Sequence, residues 1–225
     1  MRLLKRKPRS FDIQVQDMTL RISASTDLNE ESRAAALGFW EQLQAYALRN
    51  PEFRTSKRPL EVPESAPEIV REMVRAARAA GVGPMFTFQG AVTDQVGRFL
   101  ARSVSEVSVA CGGDYFILTK KRMKLTVHRK PNGEALSVVV AHRDGGLGVS
   151  TTLGRGRSAG VDGLAVLAAT CMLADAAAAG VQAILPKPEG FHGALDYLRR
   201  VKGVLGGVVI QGERIGVAGG VEIAA

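Results

Sequence analysis

Phe11, Ile13 and Val15 alternate with polar neighbours, and Met18, Leu20 and Ile22 repeat the alternation beyond Gln16-Asp17. A period of two on both sides of a short polar break predicts a β-hairpin. The spacing then changes. Leu37, Trp40, Leu43 and Ala47 recur at helical intervals behind Glu30 and Glu31, acids that the helix dipole favours in a first turn. Asp27 or Asn29 suits the cap, and Asn50-Pro51 ends the run. Trp40 on this stripe reads as a core anchor. Pro51 to Pro67 holds four prolines and reads as an irregular connection. Pro67 suits the first turn of a second helix that stops at Gly81. A third helix carries Val92, Val96, Phe99 and Leu100 on one apolar face, with Thr93, Asp94 and Arg98 facing elsewhere.

Beyond it, strands are expected at about 106–110, 115–119, 123–128, 136–141 and 147–152, with Pro131-Asn132-Gly133 as a turn. A Gly-rich loop, a strand near 163–169, a helix near 171–179, a short helix from His192 to Val201 and a Gly-rich hairpin complete the chain. Runs of strands mixed with runs of helices predict an α+β fold with a mainly antiparallel sheet flanked by helices. The 225 residues suit a single domain, with an N-terminal hairpin and helices over 1–80 and a core over 81–225 that carries the motifs below. From Gly163 to Leu185 only Thr170, Asp175 and Gln182 are polar. A charge such as Asp175 at mid-membrane costs roughly 2.5–3.5 kcal/mol, so a buried strand and a buried helix fit better than a membrane span.

Hydrophobic residues make up 46% of the chain, as in ordinary soluble globular proteins. The N-terminal MRLLKRKPRSF has no apolar run behind its basic residues and is no signal peptide. Cys111 and Cys171 form no framework and are expected as reduced thiols of a cytoplasmic protein. Ala- and Gly-rich surfaces suggest a homodimer. The net charge of +8 is uneven: Arg2, Lys5, Arg6, Lys7 and Arg9 crowd the start, and Lys120, Lys121, Arg122, Lys124, Arg129 and Lys130 line one hairpin. This is either a solvated strand face and tail or a surface for phosphates. No helix, finger or aromatic-stacking motif accompanies the charge, which puts nucleic acid behind a phosphorylated ligand or an acidic partner.

The segment most suggestive of chemistry is Gly112-Gly113-Asp114 at a strand end. Glycines let a ligand approach backbone amides, and the acid can bind a hydroxyl or a cation; the bland alternative is a turn needing positive φ. Gly90 stands at an expected helix start, where amides attract anions, with Asp94 one turn on. Ser150 and Thr151 lead into Gly154-Arg155-Gly156-Arg157-Ser158, a plausible phosphate cradle. The glycines that follow break any long helix, so a dinucleotide fingerprint is a poor match, and no phosphate-loop GKS or GKT occurs. Asp175 is an acid inside LADAAAAG, and buried acids are rare unless paired or bound to a cation. His128, His142 and His192 make no metal spacing, and His142 suits local hydrogen bonding.

GVGPM, GAVTDQVG, the CGGD at 111–114, LGVSTT at 147–152 and LADAAAAG at 173–180 together resemble the ApbE superfamily, in its short bacterial and archaeal branch. The resemblance runs from about Gly81 to Val181. It implies a T-fold-type α+β architecture and kinship with enzymes that transfer FMN from FAD to a protein threonine using magnesium. It further implies that Gly112, Gly113 and Asp114 lie in a flavin nucleotide site together with Gly90 and Asp94, and that Asp175 is a magnesium ligand. The chain departs from the transferase pattern at Gln89, where the pattern has lysine, and at Ala179, where it has threonine. Losing a hard oxygen donor weakens a magnesium site, so these departures count against FMN transfer.

The expectation is therefore an ApbE-like protein that binds FAD, a related flavin or a similar small-molecule phosphate ester, through Gly90, Asp94, Gly112, Gly113, Asp114, Ser150, Thr151 and Arg155. Whether it is an enzyme stays open, with a transferase-like activity on a nucleotide or pterin phosphate ester the form it would take. The branch also implies an alternative, a non-catalytic or divergent protein of one-carbon, tetrahydromethanopterin-type metabolism. A nucleic-acid-binding module using the basic hairpin is the third reading.

Overall fold

A computed structural model describes residues 9–128, 135–151 and 161–224. The expected phosphate cradle with Arg155, the turn at 131–133, the basic residues Arg129 and Lys130, and the start of the chain lie outside the described residues.

The N-terminal hairpin forms as the alternation predicts, β1 (Arg9–Val15) pairing with β2 (Met18–Ala24). Helix α1 (Asn29–Arg49) follows; its cap position is Leu28, while Asp27 Oδ1 accepts the Asn29 amide at 3.2 Å. The Pro-rich connection is not wholly irregular. Asn50-Pro51 ends α1 but also starts a short helix, α2 (Pro51–Thr55), because proline is well suited to a first helical turn. Helix α3 (Glu68–Ala80) stops at Gly81, and a short 3-10 turn at Pro84–Thr87 leads into α4 (Phe88–Leu100).

Strands β3 (Val107–Cys111), β4 (Asp114–Leu118), β5 (Met123–His128), β6 (Ala135–Val140), β7 (Leu147–Thr151) and β8 (Gly163–Ala168) come next. Helices α5 (Cys171–Ile184) and α6 (Gly190–Arg200) precede β9 (Val204–Gln211), β10 (Arg214–Gly219) and β11 (Glu222–Ala224). Eight strands make one sheet in the order β1-β2-β3-β4-β7-β8-β9-β10, and β11-β6-β5 make a smaller one. Among the described residues every pairing is antiparallel.

The helices pack on one face of the large sheet, and the small sheet covers the middle of the other. This explains a contrast in the sequence pattern. In β2, at the uncovered end, Met18, Leu20, Ile22 and Ala24 are buried while Thr19 and Arg21 are exposed. In β7 and β8 every residue is buried, because layers lie on both sides. The polar strand end Ser150-Thr151 thus sits in the interior. Likewise Thr93 and Asp94, expected to face away from the apolar stripe of α4, are buried, Asp94 because α5 meets it through the Cys171 amide. Helix α5 is longer than expected and buried from Cys171 to Val181. Among the described residues no helix is long and apolar enough to cross a membrane.

Candidate ligand site at one end of the large sheet

Strands β3 and β4 join through two residues only. Cys111 pairs with Asp114, and Gly112 takes φ 57°, a conformation that costs a side-chain-bearing residue energy. The turn is fastened to β7: Thr151 donates its amide to Gly113 O at 2.8 Å and its hydroxyl to the same carbonyl at 3.1 Å. Asp114 stands directly opposite Ser150 in the β4–β7 register, which puts both side chains on one face of the sheet. Both are fully buried, and among the described residues the Ser150 hydroxyl has no hydrogen-bond partner. A buried unpaired hydroxyl costs about 1–3 kcal/mol, so its position calls for an explanation.

The turn's flank is closed by Gln89, in the first turn of α4; a methyl group on Gly112 would lie 3.4 Å from Gln89 Oε1. The next residue, Gly90, donates its amide to Asp175 Oδ2 at 3.0 Å. One turn further along α4, Asp94 accepts the Cys171 amide at 2.8 Å, and its other oxygen lies 3.1 Å from Arg98 Nε without hydrogen-bond alignment. Arg98 also pairs with Glu72 of α3, which accepts Gln95 Nε2 at 2.6 Å. Gly90 has a packing reason to be glycine. A Cβ there would stand 2.7 Å from Cys171 O and 2.8 Å from Asp175 Cβ, so α4 and α5 cross closely only without one. Gly148 of β7 plays the same part beneath α5, with Cys171 N 2.1 Å from where its Cβ would be.

Electrostatics distinguish these groups. Burial raises the Asp94 carboxyl to about 6, against the pull of Arg98 and the Cys171 amide, with Glu72 adding to the rise. Burial also pushes the Cys111 thiol up to about 11, helped by the charges of Asp114 and Asp17, so it stays protonated at neutral pH and is no ready nucleophile. The Tyr115 hydroxyl is raised by burial and by Asp114, with a hydrogen bond to Thr151 opposing. Among the described residues neither of the two buried cysteines forms a disulfide. His142 lies elsewhere, half exposed, its ring nitrogens 2.6 Å from Thr119 O and 3.2 Å from Asp144 Oδ1.

Gly112, Gly113, Asp114, Ser150 and Thr151 therefore meet at one end of the sheet, with Gln89 and Gly90 of α4 beside them. Asp94 and Asp175 lie at the adjoining contact of α4 with α5. The roles of Arg98 and Glu72 have almost no sequence signal; only the spacing of Asp94 and Arg98 on one helix hints at them. A separate cleft of about 310 Å³, with Glu72, Arg75, Arg98, Thr170 and Met172 on its walls, shares no residue with the Gly112–Asp114 turn.

The magnesium expectation can be tested against donors. Among the described residues no group of three or more His, Cys, Asp and Glu is placed to hold a metal ion. Asp175 Oδ2 is engaged by the Gly90 amide, and Ala179 offers no side-chain oxygen. Magnesium demands near-octahedral oxygen coordination. The described donors do not make up such a set.

The family model described as AbpE bacteria matches residues 1–188. A UPF0280 protein from Methanosarcina acetivorans is 29% identical over 95% of this chain and 88% of its own length. One from Methanothermobacter thermautotrophicus is 33% identical over 88% of this chain and 82% of its own. Among solved structures, the flavinyl transferase ApbE of Pseudomonas stutzeri in its apo form superposes with a TM-score of 0.61 at 14% identity, covering 100% of this chain and 96% of that one. The ApbE protein of Thermotoga maritima gives 0.55 at 12%, covering 94% and 97%. The hairpin, the helical layer and the antiparallel sheet are thus those of an ApbE-like fold, and the chain belongs to the AbpE bacteria family, among the UPF0280 proteins.

Proposed function

We propose that this protein binds a flavin nucleotide, or a closely similar phosphate ester, at the sheet end formed by Gly112, Gly113, Asp114, Ser150 and Thr151. The observation that carries this reading is the buried Ser150 hydroxyl, without a partner among the described residues, directly opposite Asp114 and beside a glycine pair. A ligand hydroxyl or ring edge reaching that position would satisfy it and would meet the Asp114 carboxylate as an acceptor. The fold adds support, since the P. stutzeri and T. maritima proteins above share it and one of them is a flavinyl transferase.

Each residue then has a definite task. Gly112 and Gly113 let the ligand lie against backbone. Asp114 accepts from it, and Ser150 donates or accepts. Thr151 acts by holding the Gly113 carbonyl, and so fixes the turn. Arg155 would pair with phosphate, a role of the kind guanidinium groups perform well. Transfer of FMN is not part of this proposal: Gln89 supplies no positive charge beside the turn, and the metal donors among the described residues are incomplete.

The test is a calorimetric titration with FAD, with and without magnesium, on the wild type and on Asp114→Ala. Saturable binding that Asp114→Ala weakens about 10–100-fold is expected, the loss of one charge-assisted hydrogen bond. No heat of binding in any condition sinks the flavin reading.

A further inference from the structure

We propose that Asp94 and Asp175 are positioning residues that latch α4 to α5 without a metal ion. The latch is reciprocal. The Gly90 amide in the first turn of α4 is taken by Asp175 of α5, and the Cys171 amide that opens α5 is taken by Asp94 of α4. First-turn amides have no acceptor inside their own helix and carry the positive end of its dipole, so a carboxylate is the fitting partner. Thr170 completes the set on α5, its hydroxyl accepting the Leu173 amide at 3.2 Å.

Three further facts point the same way. Both carboxylates are buried, with 1% exposure each, and each makes its amide bond at 2.8–3.0 Å. The Cβ-free surface of Gly90 lets the helices come close enough for both bonds. A cation bound by Asp175 would sit against the positive end of α4, where the dipole opposes it, and Ala179 could not add a side-chain oxygen. Asp94 is tied on to α3 by Arg98 and Glu72, so the latch continues through the helical layer. Its effect on the candidate site is geometric: it fixes the start of α4, and with it Gln89 against Gly112. The inference stands whether or not the ligand is a flavin, because its test needs none.

Thermal unfolding of the ligand-free protein, with excess magnesium chloride or with EDTA, decides it. Asp94→Ala and Asp175→Ala should each lower Tm by about 5–10 °C, as expected for a buried amide left unsatisfied in a chain of this size. Asp94→Asn and Asp175→Asn, which keep an acceptor oxygen, should restore at least half of that loss, and magnesium should move no Tm beyond the reproducibility of the melts. Wild-type melting unchanged by the alanine substitutions overturns the latch. A magnesium-dependent rise in wild-type Tm that Asp175→Asn abolishes makes Asp175 a metal ligand instead. Should the alanine variants fail to fold, hydrogen exchange in the wild type still decides: protection of the Gly90 and Cys171 amides unchanged by magnesium upholds the latch, and loss of Gly90 protection on adding magnesium overturns it.

Discussion

Two buried carboxylate environments lie within a few residues of each other and differ in what they lack. Between α4 and α5, Asp94 and Asp175 each accept a helix-opening amide, and Asp94 adds Arg98. On the sheet, Asp114 faces a serine hydroxyl with no hydrogen-bond partner among the described residues. The first arrangement is what a fold needs to hold two helix ends together. The second leaves a polar group whose cost a ligand could offset. Similar residues, all read from the sequence as ligand candidates, thus divide into those that build the site and those that would use it.

The division can be strained hardest at Gly90. Gly90→Ala drives a methyl group against the backbone of Cys171, so α4 and α5 must separate and both amide bonds stretch. We expect a loss of roughly 3 kcal/mol or more in urea unfolding, as overpacking against rigid backbone costs. Gly38→Ala on α1, with nothing within 4 Å, should instead be neutral or stabilise by up to about 1 kcal/mol, as alanine does in a helix. Equal effects at the two glycines would remove the packing explanation.

A milder change tests the sheet side. Thr151→Val keeps the volume and the amide bond to Gly113 but removes the hydroxyl bond and the contact with Tyr115. About 1 kcal/mol of stability should go, and FAD affinity should fall several-fold by loosening the turn. A stability loss with unchanged FAD affinity would separate Thr151 from the site.

The third test concerns pH. Asp94 is raised from 3.8 to about 6 in the fold, so between those values the folded state holds a proton that the unfolded chain gives up. Its contribution to stability is complete below pH 3.8 and is lost as pH rises through 6, at up to about 1.4 kcal/mol per pH unit. Urea unfolding across this range should therefore show a less negative slope with pH in Asp94→Asn than in the wild type. Parallel profiles would mean that Arg98 and the Cys171 amide hold Asp94 ionised throughout.

The same contrast explains how much the sequence discloses. The β1–β2 hairpin and the end of α3 are legible because their signals are local: a period of two on a one-sided sheet, and a glycine stop. The Gly112-Gly113 turn is legible for the same reason, and the family motifs point to the whole sheet end. What is hidden depends on distant partners. Asp94 breaks the apolar stripe of α4 and so reads as outward, yet α5, far along the chain, covers it. Ser150 and Thr151 read as a polar strand end offering hydroxyls to a phosphate, but the strand that carries them is buried along its whole length between the two layers. Periodicity reports which face of an element is apolar, and says nothing of a polar residue whose partner is an amide contributed by another helix.

The central claim is that Asp114 serves the ligand and Asp175 serves the fold. The most direct test is FAD affinity measured side by side in Asp114→Asn and Asp175→Asn, each first shown to be folded. The account predicts at least about tenfold weaker binding for Asp114→Asn and binding within about twofold of wild type for Asp175→Asn, whose acceptor oxygen keeps the Gly90 amide in place. The reverse pattern, with Asp114→Asn binding normally and Asp175→Asn losing FAD, would contradict it.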